Sequence, residues 1–392
     1  MRSFRFNLPT KIVFGAGEFK NSLPVEAAKL GKKCFIVTDK AINKYTDNVK
    51  TAVALLDAAG IKSEIFEDIE PNPTDTSIVA GAKKLQKFGA DFIVAIGGGS
   101  PMDAAKAMGI LTTSGGKISD YFGVEMVKKP NFPVICVPTT SGTGAEVTKY
   151  SNINVPKEGS KNLINSVAIC PKVAIVDPLL AMSMPSGLAA VSGIDALTHV
   201  IESYTCTFTQ PLTEIVNLEG IRLISKYLPA SVTLQKDTEA HVKMSYAAML
   251  GGIAINNAGT GVGHGLSFPL TANYGVPHGV ATGLLLPYVM EFNMPTNYQK
   301  FANIAVAMGE NIDGLSVVEA AELSVYAVKR LLKAINFKPA SLAEYGVKDA
   351  HIKKFAETMM ANAQKLANNP RMPTAEDIIN IARKARDIGI DY

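Results

Sequence analysis

The stretch DFIVAIGGGSPMDAAKAMG, residues 91–109, decides how the chain folds. Asp91 to Ile96 is a short apolar run, as expected of a parallel strand buried on both faces. Gly97, Gly98, Gly99 and Ser100 follow as a turn, and Pro101 suits the first position of a helix that Asp103 to Met108 continue. Residues without side chains let phosphate oxygens approach backbone N–H groups, and a helix N-terminus adds partial positive charge. The stretch therefore predicts a pyrophosphate cradle, although its spacing is not GxGxxG.

Outward from it, more strands alternate with helices. CFIVTD, residues 34–39, is a second buried strand. Asp39 at its end either accepts hydrogen bonds from ribose hydroxyls and repels a 2'-phosphate, or caps the next helix. A helix-like stretch reaches about Leu56, and EIFEDIEPNPT, residues 64–74, adds a strand and a loop. Thr74 is placed to cap the helix of residues 75–89. PVICV, residues 133–137, runs into PTTSGTGAEVT, whose Thr139, Thr140, Ser141 and Thr143 crowd hydroxyls at a strand's C-terminal end. Open α/β sheets bind ligands there. KVAIVDP, residues 172–178, is one more strand, and FRFNLPTKIVFGAG, residues 4–17, reads as two short strands around Pro9. GAGEFK lacks a third glycine at fingerprint spacing and reads as a tight turn. Alternation of this kind implies a mainly parallel sheet.

The pattern changes between residues 180 and 186. Helix-period segments follow at 186–204, 214–228, 241–258, 315–335 and 375–386, with little alternation after Asp177. The division predicted is an α/β domain at 1–183 and an all-α domain at 184–392.

Chemistry concentrates in the helical half. GTGVGHGLSFPLTANYGVPHG, residues 259–279, holds His264 and His278. Pro269, Gly275 and Pro277 between them argue against one continuous helix, and a turn that folds back would bring both rings to one point. Upstream, GIDALTHVIES places Asp195 and His199 four residues apart, on one helical face. One carboxylate and three imidazoles suit a divalent cation with a position open for substrate. His241 and His351 stand beside charged residues and are expected on the surface.

With 47% hydrophobic and 19% charged residues and a net charge of +4, the 392-residue chain has an ordinary globular balance. It shows no run of like charge and no interleaved basic and aromatic patch, so nucleic acid is not indicated. No stretch approaches the roughly 18 apolar residues of a membrane span, and MRSFRFNLPT lacks a signal core. Cys34, Cys136, Cys170 and Cys206 form no CxxC pair, which suits a reducing, cytoplasmic setting. A homo-oligomer, a dimer or higher, is expected.

GGGSPMDAAK (97–106), PTTSGTGAEVT (138–148), AIVDP (174–178), GIDALTHVIESY (193–204) and HGLSFPLTANYGVPHG (264–279) together resemble the iron-containing (group III) alcohol dehydrogenase family, over nearly the whole chain. The resemblance implies an N-terminal Rossmann-like dinucleotide-binding domain, an all-helical, dehydroquinate synthase-like metal-binding domain, and an active site in the cleft between them. The family's metal ligands, the catalytic set, fall on Asp195, His199, His264 and His278. Its cofactor contacts fall on Asp39, Asn72, Gly98, Gly99, Ser100, Asp103, Thr139, Thr140, Thr143 and Lys161. Asp39 matches a position associated with preference for NAD over NADP.

Phe268 departs from the pattern, because many members carry there a histidine proposed as a proton relay. Thr271 replaces a common glycine, and both changes fall on the substrate side. A phenyl ring cannot carry a proton, so Phe268 is expected to line the substrate pocket.

The activity implied is interconversion of a primary alcohol and an aldehyde by hydride transfer with NAD or NADP. The cation would act as a Lewis acid on the substrate oxygen, while the cofactor carries the hydride. Positioning the nicotinamide contributes up to roughly 7–11 kcal/mol. The donor set accepts Fe²⁺, Zn²⁺, Mn²⁺ or Ni²⁺, and Fe²⁺ follows from the resemblance. A reductase of a functionalised aldehyde, of the 4-hydroxybutyrate or phosphonoacetaldehyde type, is the alternative within enzymes. The glycerol-1-phosphate dehydrogenase branch shares the plan, but DALTH and GVPHG argue against it. A catalytically idle nucleotide-binding protein is the alternative of another class, favoured only by Phe268.

Overall fold

Short apolar strands separated by helices build one unit from Asn7 to Met184 in the computed structural model, which describes residues 3–361 and 366–390. Its elements are β1 (Lys11–Phe14), α1 (Glu18–Ala28), β2 (Lys33–Val37), α2 (Lys40–Tyr45), α3 (Asn48–Ala58), β3 (Lys62–Phe66), α4 (Asp75–Phe88) and β4 (Phe92–Gly97). There follow α5 (Gly99–Ser114), β5 (Gly123–Val124), β6 (Val134–Pro138), β7 (Tyr150–Val155), β8 (Ser160–Asn165), β9 (Val173–Val176) and α6 (Pro178–Ala181). Six strands form a fully parallel sheet in the order β1-β9-β6-β4-β2-β3.

Side chains alternate across the strands, so both faces carry a core. Phe35, Val37, Ile93 and Ala95 face one way and pack with Ile78 and Leu85 of α4 and Met102 and Met108 of α5. Cys34, Ile36, Val94 and Ile96 face the other way and pack with Phe19 and Leu23 of α1 and Val49 and Leu56 of α3. The winding changes face between the neighbouring strands β2 and β4. Sheets of this kind bind ligands at the carboxyl ends of such strands, which here lead into Asp39 and Gly98.

The second unit runs from Pro185 to the C-terminus and includes the chain up to Phe6. It comprises α7 (Ser186–Thr205), α8 (Pro211–Thr233), α9 (Thr238–Ala258), α10 (Val262–Tyr274), α11 (His278–Asn293), α12 (Tyr298–Ala307), α13 (Val317–Ala334), α14 (Asp349–Ala361) and α15 (Ala375–Asp387). No strand occurs among its described residues. Helix α7 packs against α8, α9 and α11, so every residue from Gly193 to Thr205 is buried. An all-round apolar environment forces the polar side chains of that helix to find partners inside.

Several local expectations differ from the structure. Residues 3–9 form no strand, and pairing begins at Lys11 opposite Val173. Helix α5 starts at Gly99, which places Pro101 third in the helix, still within the turn whose N–H groups have no helical partner. Strands β5, β8 and β7 form a small second sheet that the sequence reading did not include. His241 is buried at 1% exposure, and burial lowers its basicity, because α9 lies inside the bundle. His351 is half-buried, and its Nδ1 accepts the Lys348 N–H at 3.0 Å.

Candidate functional site

Asp195 and His199 lie one turn apart on α7, and Glu202 follows three residues later on the same face. His264 lies in the first turn of α10 and His278 is the first residue of α11. The helix runs through Pro269 and ends at Gly275, whose φ of +64° closes it. The return turn therefore falls at 275–277 and carries the chain back to α7, against which α11 packs.

This brings the four residues together. Ligand atoms of Asp195, His199 and His264 all lie within 4.8 Å of one another, and all three residues are buried. The His199 and His264 rings are 4.8 Å apart between centroids, and those of His264 and His278 are 5.4 Å apart. His278 stands at the open side of the group, with Nε2 3.7 Å from Asp195 Oδ1. Burial disfavours charge on Asp195, but His199, His278 and His264 outweigh it and hold the carboxyl below its ordinary value. One anionic oxygen and two imidazole nitrogens within this range, with a third imidazole adjoining, fit a divalent transition metal.

Neighbouring groups orient Asp195, His278 and His264. Thr282 Oγ1 donates to Asp195 Oδ1 at 3.1 Å, and Ser267 Oγ lies 3.2 Å from His278 Nδ1. Glu202 Oε2 lies 2.5 Å from His264 Nδ1, and the same carboxylate accepts the N–H groups of Gly263 at 2.7 Å and Gly261 at 3.1 Å. Burial opposes the charge on Glu202, yet His264 and those N–H groups hold its carboxyl below the ordinary value. Asn369 Oδ1 accepts the Val262 N–H at 3.2 Å, and Asn368 Nδ2 donates to the carbonyls of Ala258 and Thr260. The turn that presents His264 is thus fastened from two sides. Glu202, Asn368 and Asn369 were missed from sequence, although Glu202 carries a signal: it continues the Asp195–His199 face.

The α/β unit presents a second group of residues. A Cβ at Gly99 would lie 3.0 Å from the Thr143 side chain, tighter than an ordinary contact, and one at Gly98 would touch the Thr140 side chain at 3.4 Å. The hydroxyl loop after β6 therefore packs directly on the glycine turn. Thr139 Oγ1 is buried and has no hydrogen-bond partner among the described residues. Ser100 Oγ accepts the Asn72 N–H at 3.1 Å, and Lys161 Nζ donates to Asn72 Oδ1 at 2.9 Å. Asn72 adopts φ +60°, a conformation Asn tolerates better than most residues. Three of the expected cofactor residues thus form one chain of hydrogen bonds. Lys161 reaches it from β8, so the small sheet supports this side of the turn.

Asp39 caps α2 through Oδ1, which accepts the Ile42 N–H at 2.9 Å, while Oδ2 faces Gly97. Capping and proximity to the glycine turn are thus both met by one side chain. The Asp103 carboxylate accepts the Asn152 N–H of β7 at 3.0 Å. A glycine turn that packs on hydroxyls at a helix N-terminus, with a buried hydroxyl left for a ligand, fits a dinucleotide.

Two family models match the chain. Residues 9–178 match iron-containing alcohol dehydrogenase, and residues 189–386 match the C-terminal part of the Fe-containing alcohol dehydrogenase family. The 1,3-propanediol dehydrogenase of Citrobacter freundii is 39% identical over 98% of this chain and 99% of its own. The NAD-dependent methanol dehydrogenase of Bacillus methanolicus is 36% identical over 97% of this chain and 99% of its own. A crystal structure of 1,3-propanediol oxidoreductase superposes with a TM-score of 0.94 at 38% identity, covering 98% of this chain and all of the other.

Proposed function

The chain belongs to the iron-containing alcohol dehydrogenase family, and from that premise we propose that Asp195, His199, His264 and His278 hold its catalytic Fe²⁺. The enzyme is an NAD-linked oxidoreductase that interconverts alcohols and aldehydes. The observation that carries the ligand assignment is the mutual approach of one carboxylate and two imidazoles within 4.8 Å, with His278 adjoining. When bound, the metal supplies Lewis acidity toward the substrate oxygen and NAD takes or gives the hydride.

The chain's own residues bind and orient. Thr282 fixes one oxygen of Asp195, and Ser267 lies beside the second nitrogen of His278. Gly98, Gly99 and Ser100 offer backbone N–H groups to the pyrophosphate, with Asn72 and Lys161 beside them and Thr139, Thr140 and Thr143 on the nicotinamide side. Asp103 acts from below, holding β7 to the cradle helix. Asp39 sets the preference for NAD over NADP through its charge. The unit from Asn7 to Met184 is the cofactor domain and the helical unit from Pro185 the metal domain, so the first residues of the expected 1–183 segment group with the helices. We place the enzyme in the cytoplasm as a homo-oligomer; the former rests on its four free cysteines. No helix among the described residues is long and apolar enough to cross a membrane.

The test is metal analysis of anaerobically purified protein, with and without His264→Ala, followed by an aldehyde panel with NADH. The variant should lose most of its metal and its turnover while still binding NADH. Full metal occupancy in the variant would overturn the ligand assignment.

A further inference from the structure

Outside the four proposed ligands, the bundle buries one further carboxylate against them. Glu202 is 3% exposed, and its oxygens meet four donors: His264 Nδ1 at 2.5 Å and the N–H groups of Gly263 at 2.7 Å, Gly261 at 3.1 Å and His264 at 3.4 Å. We propose that Glu202 is a positioning residue for the metal: its carboxylate fixes which nitrogen of His264 faces the cation, and Gly261 and Gly263 are glycines in order to admit it. The proposal rests on the ligand reading above and adds to it a residue outside the ligand set.

A carboxylate can only accept, so the hydrogen between Glu202 and His264 belongs on Nδ1. That tautomer leaves a lone pair on Nε2, the nitrogen that would ligate the cation. A carboxylate behind an imidazole also raises its strength as a ligand, and removing such partners weakens metal binding about 10- to 100-fold. The sequence around the histidine follows from the same contact. A Cβ on Gly263 would lie 2.8 Å from Glu202 Oε1, and one on Gly261 would lie 3.1 Å from it and 2.7 Å from Asn369 Oδ1. A side chain at Gly263 would force the Glu202 carboxylate to shift, and one at Gly261 would displace the Asn369 amide and crowd the carboxylate. The GTGVGH pattern is therefore spaced for a carboxylate arriving from α7, 59 and 61 residues earlier in the chain.

The alternative role for Glu202 is purely structural, as a remote cap for the first turn of α10. The experiment separates the two. Zn²⁺ is used as a redox-inert probe, and its affinity for wild type, Glu202→Gln, Gly263→Ala and His264→Ala is measured by competition with a chelating dye. The urea midpoint of each metal-free protein is measured alongside. Glu202→Gln and Gly263→Ala should each weaken Zn²⁺ about 10- to 100-fold, by more than any change in the metal-free midpoint accounts for. Loss of midpoint with unchanged Zn²⁺ affinity would assign the cap alone and overturn the proposal. Should neither variant fold, nitrogen-15 spectra of histidine-labelled, metal-free wild type decide, with His264 expected as the Nδ1–H tautomer. The Nε2–H tautomer there would overturn the proposal without any variant. If His264→Ala itself retains Zn²⁺, the ligand set fails. If His264→Ala loses Zn²⁺ while folded Glu202→Gln keeps it, the Glu202 role alone fails.

Discussion

Lys106 Nζ donates to the carbonyl of Ala145 at 2.7 Å from a position with no solvent exposure. The same ammonium donates to the carbonyls of Tyr150 and Thr148 and to the Thr148 hydroxyl. Its helix begins with the glycine turn, and its partners are Ala145 and Thr148 of the loop that packs on that turn and Tyr150 at the start of β7, so one side chain ties the three together. Lys106→Met would leave the buried carbonyls of Ala145 and Thr148 and the half-buried carbonyl of Tyr150 without this donor. Each buried acceptor left unmet costs about 1–3 kcal/mol. The variant should therefore lose about 3 kcal/mol or more in urea unfolding, and its KM for NAD should rise more than its kcat falls. An unchanged urea midpoint would show that the ammonium does not hold the loop.

Most of the α/β unit was legible because its strands are buried on both faces. Runs such as Phe92–Ile96 must then be apolar throughout, and the glycine turn marks where that run ends. The β7–β8 hairpin was not legible, for a physical reason. Its inward positions include polar Ser151, which is buried because its hydroxyl donates to the Asp103 carbonyl at 2.8 Å. Polar residues on the covered face disguise the alternation that identifies a half-buried strand. Asp195 and His199 were legible from spacing, but Glu202 and His241 were not. A charged or polar residue on a helix reads as solvated unless the helix is enclosed on all sides, and enclosure belongs to the packing of α7 and α9 rather than to either segment.

Asp39 combines two tasks that substitution can separate. Oδ1 caps α2, whereas the charge is what would repel a 2'-phosphate. Asp39→Ser keeps a capping oxygen and removes the charge, and Asp39→Gly removes both at a cost of only a few tenths of a kcal/mol. Both variants should raise kcat/KM for NADP(H) relative to NAD(H) by about tenfold, equivalent to about 1.4 kcal/mol. Steady-state kinetics with both cofactors checks this. A wild type that already prefers NADPH would remove Asp39 from cofactor selection.

Glu146 predicts a pH dependence of stability. It is 3% exposed, and burial pushes its carboxyl up to about 7 against the opposing pull of its own backbone N–H and of Lys106. The unfolded chain releases this proton near 4.5, whereas the folded chain keeps it to about 7. The folded state thus binds more protons across that window. Its contribution is fully present below pH 4.5 and is lost as pH rises to about 7, by up to about 3 kcal/mol. Urea unfolding between pH 4.5 and 8 should show this slope in wild type and a flatter one in Glu146→Gln. Equal slopes would show that Glu146 is ionised in the fold.

Phe268 lies one turn after His264 on α10 and faces His278 with ring planes 11° apart and centroids 6.0 Å apart. It is half-buried, so it borders the metal residues on an accessible side. Its ring offers no atom that can take or give a proton, and the expected role is an apolar wall beside His278, the proposed ligand. Truncation to alanine should enlarge the space there and weaken contact with the substrate chain. Loss of such a contact is worth about 1–3 kcal/mol in discrimination between substrates. Phe268→Ala should therefore raise KM for short primary alcohols more than for long ones, with kcat changed less. The comparison is kcat and KM for a series of primary alcohols of increasing length in wild type and variant, at saturating NAD. Metal content is measured in both, because loss of the ring also removes a neighbour of His278. A uniform fall in kcat across the series, with KM and the chain-length order preserved at equal metal content, would mean that the ring serves hydride transfer itself rather than substrate fit.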